Sequence, residues 1–168
     1  MEQSTTYQVL DQPDQPYVAV VGHVTMQTIP EIGDRYGEVF GWLAEHGYEP
    51  AGPPFFRYRL IDMDRELVIE AGVPVTEPVT GSGEVRADVL PAGRYVTTTH
   101  VGHPSELVGV TAGLLGWAEQ QGLRWDVQPS SAGEVWGCRL EHHETEPDQL
   151  SDLDHWQTRL AFRLADAG

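Results

Sequence analysis

In an extended run, Glu141-His142-His143 would send Glu141 and His143 to one side, because successive strand residues point to opposite faces. Arg139 would share that face, so a carboxylate, an imidazole and a guanidinium come within reach of one another. Among apolar neighbours such a carboxylate is costly to desolvate, and a cationic or hydrogen-bond-donating ligand relieves that cost. The same carboxylate could serve as a general base. The alternative is an exposed acid near a strand end, or one paired with Arg139. Glu141-x-His143 and His100-x-x-His103 could each supply two metal ligands. Adjacent His142 and His143 diverge on a regular strand, however, and no His-Glu-x-x-His helix occurs. No metal is expected.

A second acid out of place is Glu70, set in the apolar run Leu67-Val68-Ile69. Pairing with Arg57 on a neighbouring strand would explain it. Glu70 and Arg159 also fall at equivalent places in the two halves of the chain and could face each other across a groove. The aromatic residues Phe40, Trp42, Tyr58, Trp117, Trp136, Trp156 and Phe162 are candidates for core or for groove walls. Together with a buried carboxylate, such rings hold a delocalised cation through contacts worth ~0.5–2 kcal/mol each. No Ser-His-Asp order, nucleophile elbow, P-loop or dinucleotide fingerprint appears, so no cofactor is expected.

The charge balance narrows the partners. Net charge is −16, from 26 acidic and 10 basic residues, and every basic residue is Arg. That field repels phosphate backbones and anionic bilayers, so neither nucleic acid nor membrane is an expected partner. It favours solubility and attracts cations. No apolar run approaches the ~20 residues of a membrane span, and the first residues lack a signal-peptide core. Cys138 is the single cysteine, which excludes disulfides within the chain and fits a reducing cytoplasm.

The elements that must position these residues repeat. Gly41-Trp42, four residues and Gly47 recur 75 residues later as Gly116-Trp117, four residues and Gly122. Each copy ends an amphipathic pattern opened by a proline, Pro30 or Pro104. Ile32, Tyr36, Val39, Phe40 and Leu43 lie at helical spacing, with Gly47 suited to the C-terminal cap. Leu107, Val110, Leu114, Leu115 and Trp117 form the second stripe, with Ser105 as the expected N-cap.

Strands are predicted at Tyr17–Gln27, Phe55–Ile61, Leu67–Val75, within Glu84–Val101 with a bend at Pro91-Ala92-Gly93, at Gly133–Glu144 and at His155–Leu164. With Met63-Asp64 as a turn, Leu60 pairs with Leu67, Tyr58 with Ile69 and Arg57 with Glu70. In the last strand Trp156, Leu160, Phe162 and Leu164 share a face, with Gln157, Arg159 and Arg163 opposite.

The fold class is therefore α+β: duplicated β-α-β-β units, with an antiparallel sheet and helices on one face. An N-terminal extension, 1–16, precedes a single domain, 17–166, with halves of about 17–76 and 84–166. The seam between like halves is where a small-molecule groove is expected.

These strands and turns resemble the GyrI-like family, also called the AraC effector-binding or multidrug-binding domain. The match rests on Arg57-Tyr58-Arg59-Leu60-Ile61-Asp62-Met63-Asp64, Glu70-Ala71-Gly72-Val73-Pro74-Val75 and Leu90-Pro91-Ala92-Gly93-Arg94-Tyr95. It continues through Glu141-His142-His143-Glu144-Thr145-Glu146-Pro147 and Trp156-Gln157-Thr158. The resemblance implies pseudo-two-fold symmetry between the two β-α-β-β units, around a central groove for lipophilic, planar, often cationic compounds held between aromatic side chains and one buried acid. Glu141 matches that acid, and His143 stands where the family carries Tyr. Thr158-Arg159 replaces a Thr-Glu common among relatives, exchanging a carboxylate for a cation.

Ligand-binding residues expected on this basis are Glu141, Tyr58, Trp117, His143, Phe40, Phe162, Trp136, Glu70 and Arg159. The resemblance implies a stand-alone cytoplasmic multidrug-type binding protein. Two alternatives accompany it. One is a hydrolase that opens cyclopropane-bearing DNA-alkylating antibiotics, with Glu141 as general base. The other is a protein that interacts with gyrase or with a separate regulator.

Overall fold

The computed structural model describes residues 6–145 and 152–165. Residues 146 and 147 of the Thr145-Glu146-Pro147 turn, residues 1–5 of the N-terminal segment and the domain's expected last residue, 166, lie outside the described residues.

Ten strands are present among the described residues: β1 Gln8–Gln12, β2 Gln15–Val24, β3 Phe55–Ile61, β4 Leu67–Pro74, β5 Arg86–Leu90, β6 Gly93–Val101, β7 Val127–Ser130, β8 Gly133–Trp136, β9 Arg139–His143 and β10 Gln157–Arg163. The helices are α1 Pro30–Gly33, α2 Tyr36–His46 and α3 Leu107–Gln120. The main sheet is antiparallel in the order β1-β6-β10-β9-β3-β4-β2-β5, with β7 and β8 forming a side branch on β3.

That order contains the pseudo-two-fold. Read outward from the β3/β9 pair, one side runs β3-β4-β2 and the other β9-β10-β6. Each half thus contributes a strand, a helix and two further strands, as the repeat predicted. A second repeat marks the same equivalence: Val21-Gly22-His23 near the end of β2 recurs as Val101-Gly102-His103 at the end of β6. β1, inside the expected N-terminal extension, pairs with β6 from Gln8↔Thr97 to Gln12↔Gly93 and is part of the sheet.

The sheet has to curl. β5 and β6 lie six positions apart in its order, roughly 29 Å if flat at ~4.8 Å per strand. Yet only Pro91 and Ala92 join them, and three Cα steps reach roughly 11 Å at most. Curling brings Tyr17, Phe55, Leu90, Tyr95, Cys138, Leu140 and Ala161 into one buried cluster on the inside. The larger cluster lies on the other face, where α1 and α2 cover β2 and β4 and α3 covers β6. Val39, Leu43, Leu114 and Ala118 carry the helices onto the sheet there. Full burial of a leucine such as Leu114 contributes about 1.5–3 kcal/mol.

Local chemistry departs from the predicted pattern at three points and follows it at the helix ends. The stripe from Pro30 to His46 divides into a one-turn α1 and the longer α2, because Arg35 turns to φ −90°, ψ −2° between them. Gly47 and Gly122 both adopt left-handed backbone, φ 75° and 73°, which relieves the β-carbon clash that stops other residues there. Ser105 is not the N-cap. His103 takes that place, its Nδ1 accepting from the Ser105 amide at 3.0 Å before a single 3-10 turn, Pro104–Glu106, leads into α3. Finally, the stretch from Gly133 to Glu144 is two strands, broken at Gly137-Cys138.

The break in β8/β9 faces an irregularity in β3. Arg57↔Glu70 and Tyr58↔Ile69 pair as predicted, but a bulge at Arg59 moves Leu60 opposite Val68 and Ile61 opposite Leu67. On the other side of β3, Arg57 pairs with Leu140 of β9 while Leu60 pairs with Val135 of β8. Arg57 closes the gap, donating from Nη2 to the Gly137 carbonyl at 2.8 Å.

Candidate functional site

Between the ground covered by α2 and by α3 runs a strip of sheet made by β3, β9 and β10. β9 is its middle strand. Glu141 lies opposite Phe56 on β3 and Leu160 on β10, so its side chain leaves the sheet on the helix-bearing face. Alternation sends Arg139 and His143 to the same side, and His142 to the inside of the curl beside Phe55.

The carboxylate of Glu141 is held by a phenol and an imidazole. Tyr58 Oη donates to its Oε2 at 3.1 Å, and His143 Nε2 lies 3.1 Å from its Oε1. On the other edge of the imidazole, Nδ1 is 2.9 Å from Tyr36 Oη on α2. One proton arrangement satisfies all three contacts with Glu141 ionised. Tyr36 donates to Nδ1, the Nε2–H of a neutral His143 donates to Oε1, and Tyr58 donates to Oε2.

Burial first, and then the charge of Glu141, raises the phenols of Tyr36 and Tyr58 well above their ordinary range, so both stay donors. Ring packing fixes the chain of contacts. Tyr36 stacks on Phe56 at 5.5 Å, and Phe56 meets His143 edge-on at 4.6 Å.

Arg139 forms the other end of the strip. Its guanidinium carbon lies 4.4 Å from the Phe162 ring centre, 4.8 Å from that of Trp136 and 5.8 Å from that of Tyr58. Burial pulls its pKa below the usual arginine value, against the opposing influence of Tyr58, Glu134 and Glu141. Trp125 completes an aromatic triad, 5.8 Å from Trp136 and 5.9 Å from Phe162.

The structure therefore brings Glu141, His143, Tyr58, Trp136 and Phe162 together, and adds Tyr36, Phe56 and Arg139. Phe40 lies four residues beyond Tyr36 on α2 and is 38% exposed. Trp117 stacks on Tyr7 at 5.3 Å, which ties α3 to the segment before β1. Trp42 belongs to the core, its Nε1 donating to Ser82 Oγ at 2.8 Å.

Glu70 and Arg159 are elsewhere. Glu70 is buried on the opposite face from Glu141, accepting from Tyr17 Oη at 2.6 Å and Arg59 Nε at 3.0 Å. Arg159 reaches Glu144 at 3.4 Å. Tyr36 and Phe56 were masked in the sequence by their fit to ordinary core patterns, one on a helical stripe and one in an apolar strand. Among the described residues no three His, Cys, Asp or Glu side chains cluster so as to hold a metal ion, and no helix is long and apolar enough to cross a membrane.

Solved structures share this architecture. The C-terminal domain of EcmrR superposes with a TM-score of 0.69 at 17% identity, covering 98% of this chain and all of that domain. In the EcmrR–DNA complex the chain spans only 58% of the length of EcmrR. SAV2435, solved bound to tetraphenylphosphonium, matches with a TM-score of 0.60 at 9% identity, covering 95% of this chain and 94% of that one. A hydrolase from Listeria innocua gives 0.63 at 15% identity, over 95% and 91% of the two chains. At these identities the likeness establishes the fold. No curated protein sequence matches the chain. The sequence profile of one family matches from β1 through β7, ending before Glu141. That profile spans residues 6–132, and the chain belongs to its family, the GyrI-like small molecule binding domains.

Proposed function

We propose that the strip between α2 and α3 binds lipophilic, planar and commonly cationic small molecules, with Glu141 as the anchoring acid. The observation that carries this reading is the environment of that carboxylate. It lies on an aromatic surface, its oxygens are met by the Tyr58 hydroxyl and the His143 imidazole, and no arginine stands within ion-pair distance of it among the described residues. A cation stacked on Tyr36, Phe56 or Tyr58 would bring the missing counter-charge.

Phe40 and Trp117, on the two helices, would close over such a ligand from either side. The net charge of −16 favours the approach of cations. SAV2435, with its bound tetraphenylphosphonium, offers a precedent on the same fold. The lone thiol of Cys138, buried in the inner cluster, accords with a cytoplasmic location.

Titration with rhodamine 123, a planar cation, followed by fluorescence anisotropy tests the site. Glu141→Gln should weaken binding about tenfold or more, as expected for loss of a charge-assisted contact. Trp117→Ala should weaken it less. Wild-type affinity in both variants would overturn the assignment.

The donor chain around Glu141 favours a second reading, hydrolysis of a cyclopropane-bearing alkylating antibiotic. Glu141 would take a proton from water as the water oxygen attacks a ring methylene carbon. The strained C–C bond breaks, its electron pair moves into the conjugated carbonyl to form a phenolate, and Tyr58 or His143 protonates that oxygen. The product is the substrate plus one water. Mass spectrometry after incubation with a spirocyclopropane antibiotic should then show a water adduct that Glu141→Gln abolishes; equal adduct with and without the protein removes this reading.

A further inference from the structure

Arg139 is 8% exposed, and among the described residues its side chain has neither a hydrogen bond nor an ion pair; its Nε is buried with no partner. The other buried arginine, Arg57, also has an unpartnered Nε, but its terminal nitrogens are bonded, whereas partly exposed Arg59 is paired with acids. Arg57 donates to Tyr17 Oη at 2.9 Å and to the Gly137 carbonyl at 2.8 Å, while Arg59 donates to Glu70 and Asp88.

The faces of Phe162, Trp136 and Tyr58 take up part of the charge of Arg139, but they offer nothing to the N–H groups that lie in the plane of the guanidinium. Cation–π attraction alone falls short of the cost of removing water from a guanidinium. The surrounding polar groups add to the imbalance. Trp136 Nε1 and Trp125 Nε1 are also buried without an acceptor, so every unsatisfied group in this cluster is a donor. Such a cluster is complementary to an acceptor, above all a charged one.

We propose that Arg139 and the rings around it form a second pole of the binding strip, which takes an anionic oxygen of the ligand, a carboxylate or phenolate. This rests on the reading of Glu141 as the acid that anchors the ligand. The two residues lie two positions apart on one face of β9, roughly 7 Å along the strand. One fused ring system can span that distance. The preferred ligand is then a planar aromatic zwitterion, with its cationic or donor end at Glu141 and its anionic end at Arg139. A simple lipophilic cation satisfies only the first pole, and a simple anion meets repulsion from Glu141.

Rhodamine 110 and rhodamine 123 separate these cases, because they share one xanthene cation and differ in a free carboxylate against its methyl ester. With the wild-type chain, rhodamine 110 should bind about tenfold more tightly than rhodamine 123, the effect of one charge-assisted pair. Arg139→Met should remove that preference, Arg139→Gln should reduce it, and Glu141→Gln should weaken both dyes alike. Equal or tighter binding of rhodamine 123 by the wild type, with Glu141→Gln still weakening it, would overturn the second pole and leave the first standing. If neither dye binds, both assignments fall. The central comparison uses the unaltered chain, so a misfolded variant cannot decide it.

Discussion

Glu141 and His143, two residues apart on β9, meet at 3.1 Å on the face that carries the helices, and the imidazole passes the contact on to Tyr36 of α2 at 2.9 Å. A side chain of the central strand is thereby bonded to a helix that otherwise rests on β2 and β4. The three groups form one unit, so their substitutions should not add. Tyr36→Phe removes a single hydrogen bond and should cost about 1 kcal/mol in urea unfolding. His143→Phe leaves the Tyr36 hydroxyl and one oxygen of Glu141 without partners and should cost about 1–3 kcal/mol. The double variant should then cost less than the sum, since both changes delete the same contact. Strict additivity would show that Tyr36 and His143 do not interact in solution.

On the opposite face, Glu70 accepts from Tyr17 and Arg59 and lies 4.0 Å from Arg57 Nε, all within the curl of the sheet. Burial first, and then the charge of Glu70, raises the Tyr17 phenol. Removing the acid leaves the Arg57 guanidinium buried with no counter-charge. Glu70→Gln should therefore destabilise the fold by about 3–5 kcal/mol, the usual effect of breaking one side of a buried pair. Any protein that remains folded should bind rhodamine 123 with unchanged affinity, because Glu70 and Glu141 occupy opposite faces. A large loss of affinity in folded protein would place Glu70 in the ligand site instead.

Strand alternation was enough to bring Glu141, His143 and Arg139 to one face, because a period of two is local and β9 is regular. The glycine repeat likewise marked the helix ends, since left-handed backbone at Gly47 and Gly122 is a requirement of single positions. Tyr36 was not legible as a partner of His143. The two are 107 residues apart, and a tyrosine on an amphipathic stripe reads as core whichever neighbour it meets.

The paired irregularities were hidden for a similar reason. A bulge at Arg59 has no glycine or proline to announce it, and it is explained only by the break at Gly137-Cys138 on the neighbouring strands, bridged by Arg57. Glu70 stood out as a charge in an apolar run. Its cross-strand pairing with Arg57 follows the hairpin register, and its contacts with Tyr17 and Arg59 complete a structural network inside the curl.

Cys138 lies in the inner cluster with no exposed surface, and burial pushes its thiol above the ordinary cysteine value, although the charge of Arg57 and a contact with Tyr95 work the other way. A thiol that is both inaccessible and protonated is a poor nucleophile. Opening one edge strand would not expose it, since residues from six strands surround it. Reaction with a thiol-specific disulfide reagent should thus be slow in buffer, with a rate that rises with urea in step with global unfolding, and should reach one equivalent in the denatured chain. Rapid labelling of the native protein would mean that the curl opens locally.

His142 provides a pH-dependent test of that same interior. It points into the curl beside Phe55, and burial first, then the charges of Arg159 and His143, lowers its pKa from 6.5 to about 3. Between those two values the unfolded chain binds a proton at this position and the folded chain does not. Stability must therefore fall as pH drops through the unfolded value, and the loss continues until the folded value is reached. Across pH 6 to 4, His142→Phe should remove about one proton from the uptake on unfolding, measured as a shallower slope of unfolding free energy against pH. Comparing the variant with the wild type isolates this residue from the acidic surface, whose neutralisation relieves repulsion and acts in the opposite direction. Identical slopes for the two proteins would mean that His142 is protonated in the folded state and that Arg159 is turned away from it.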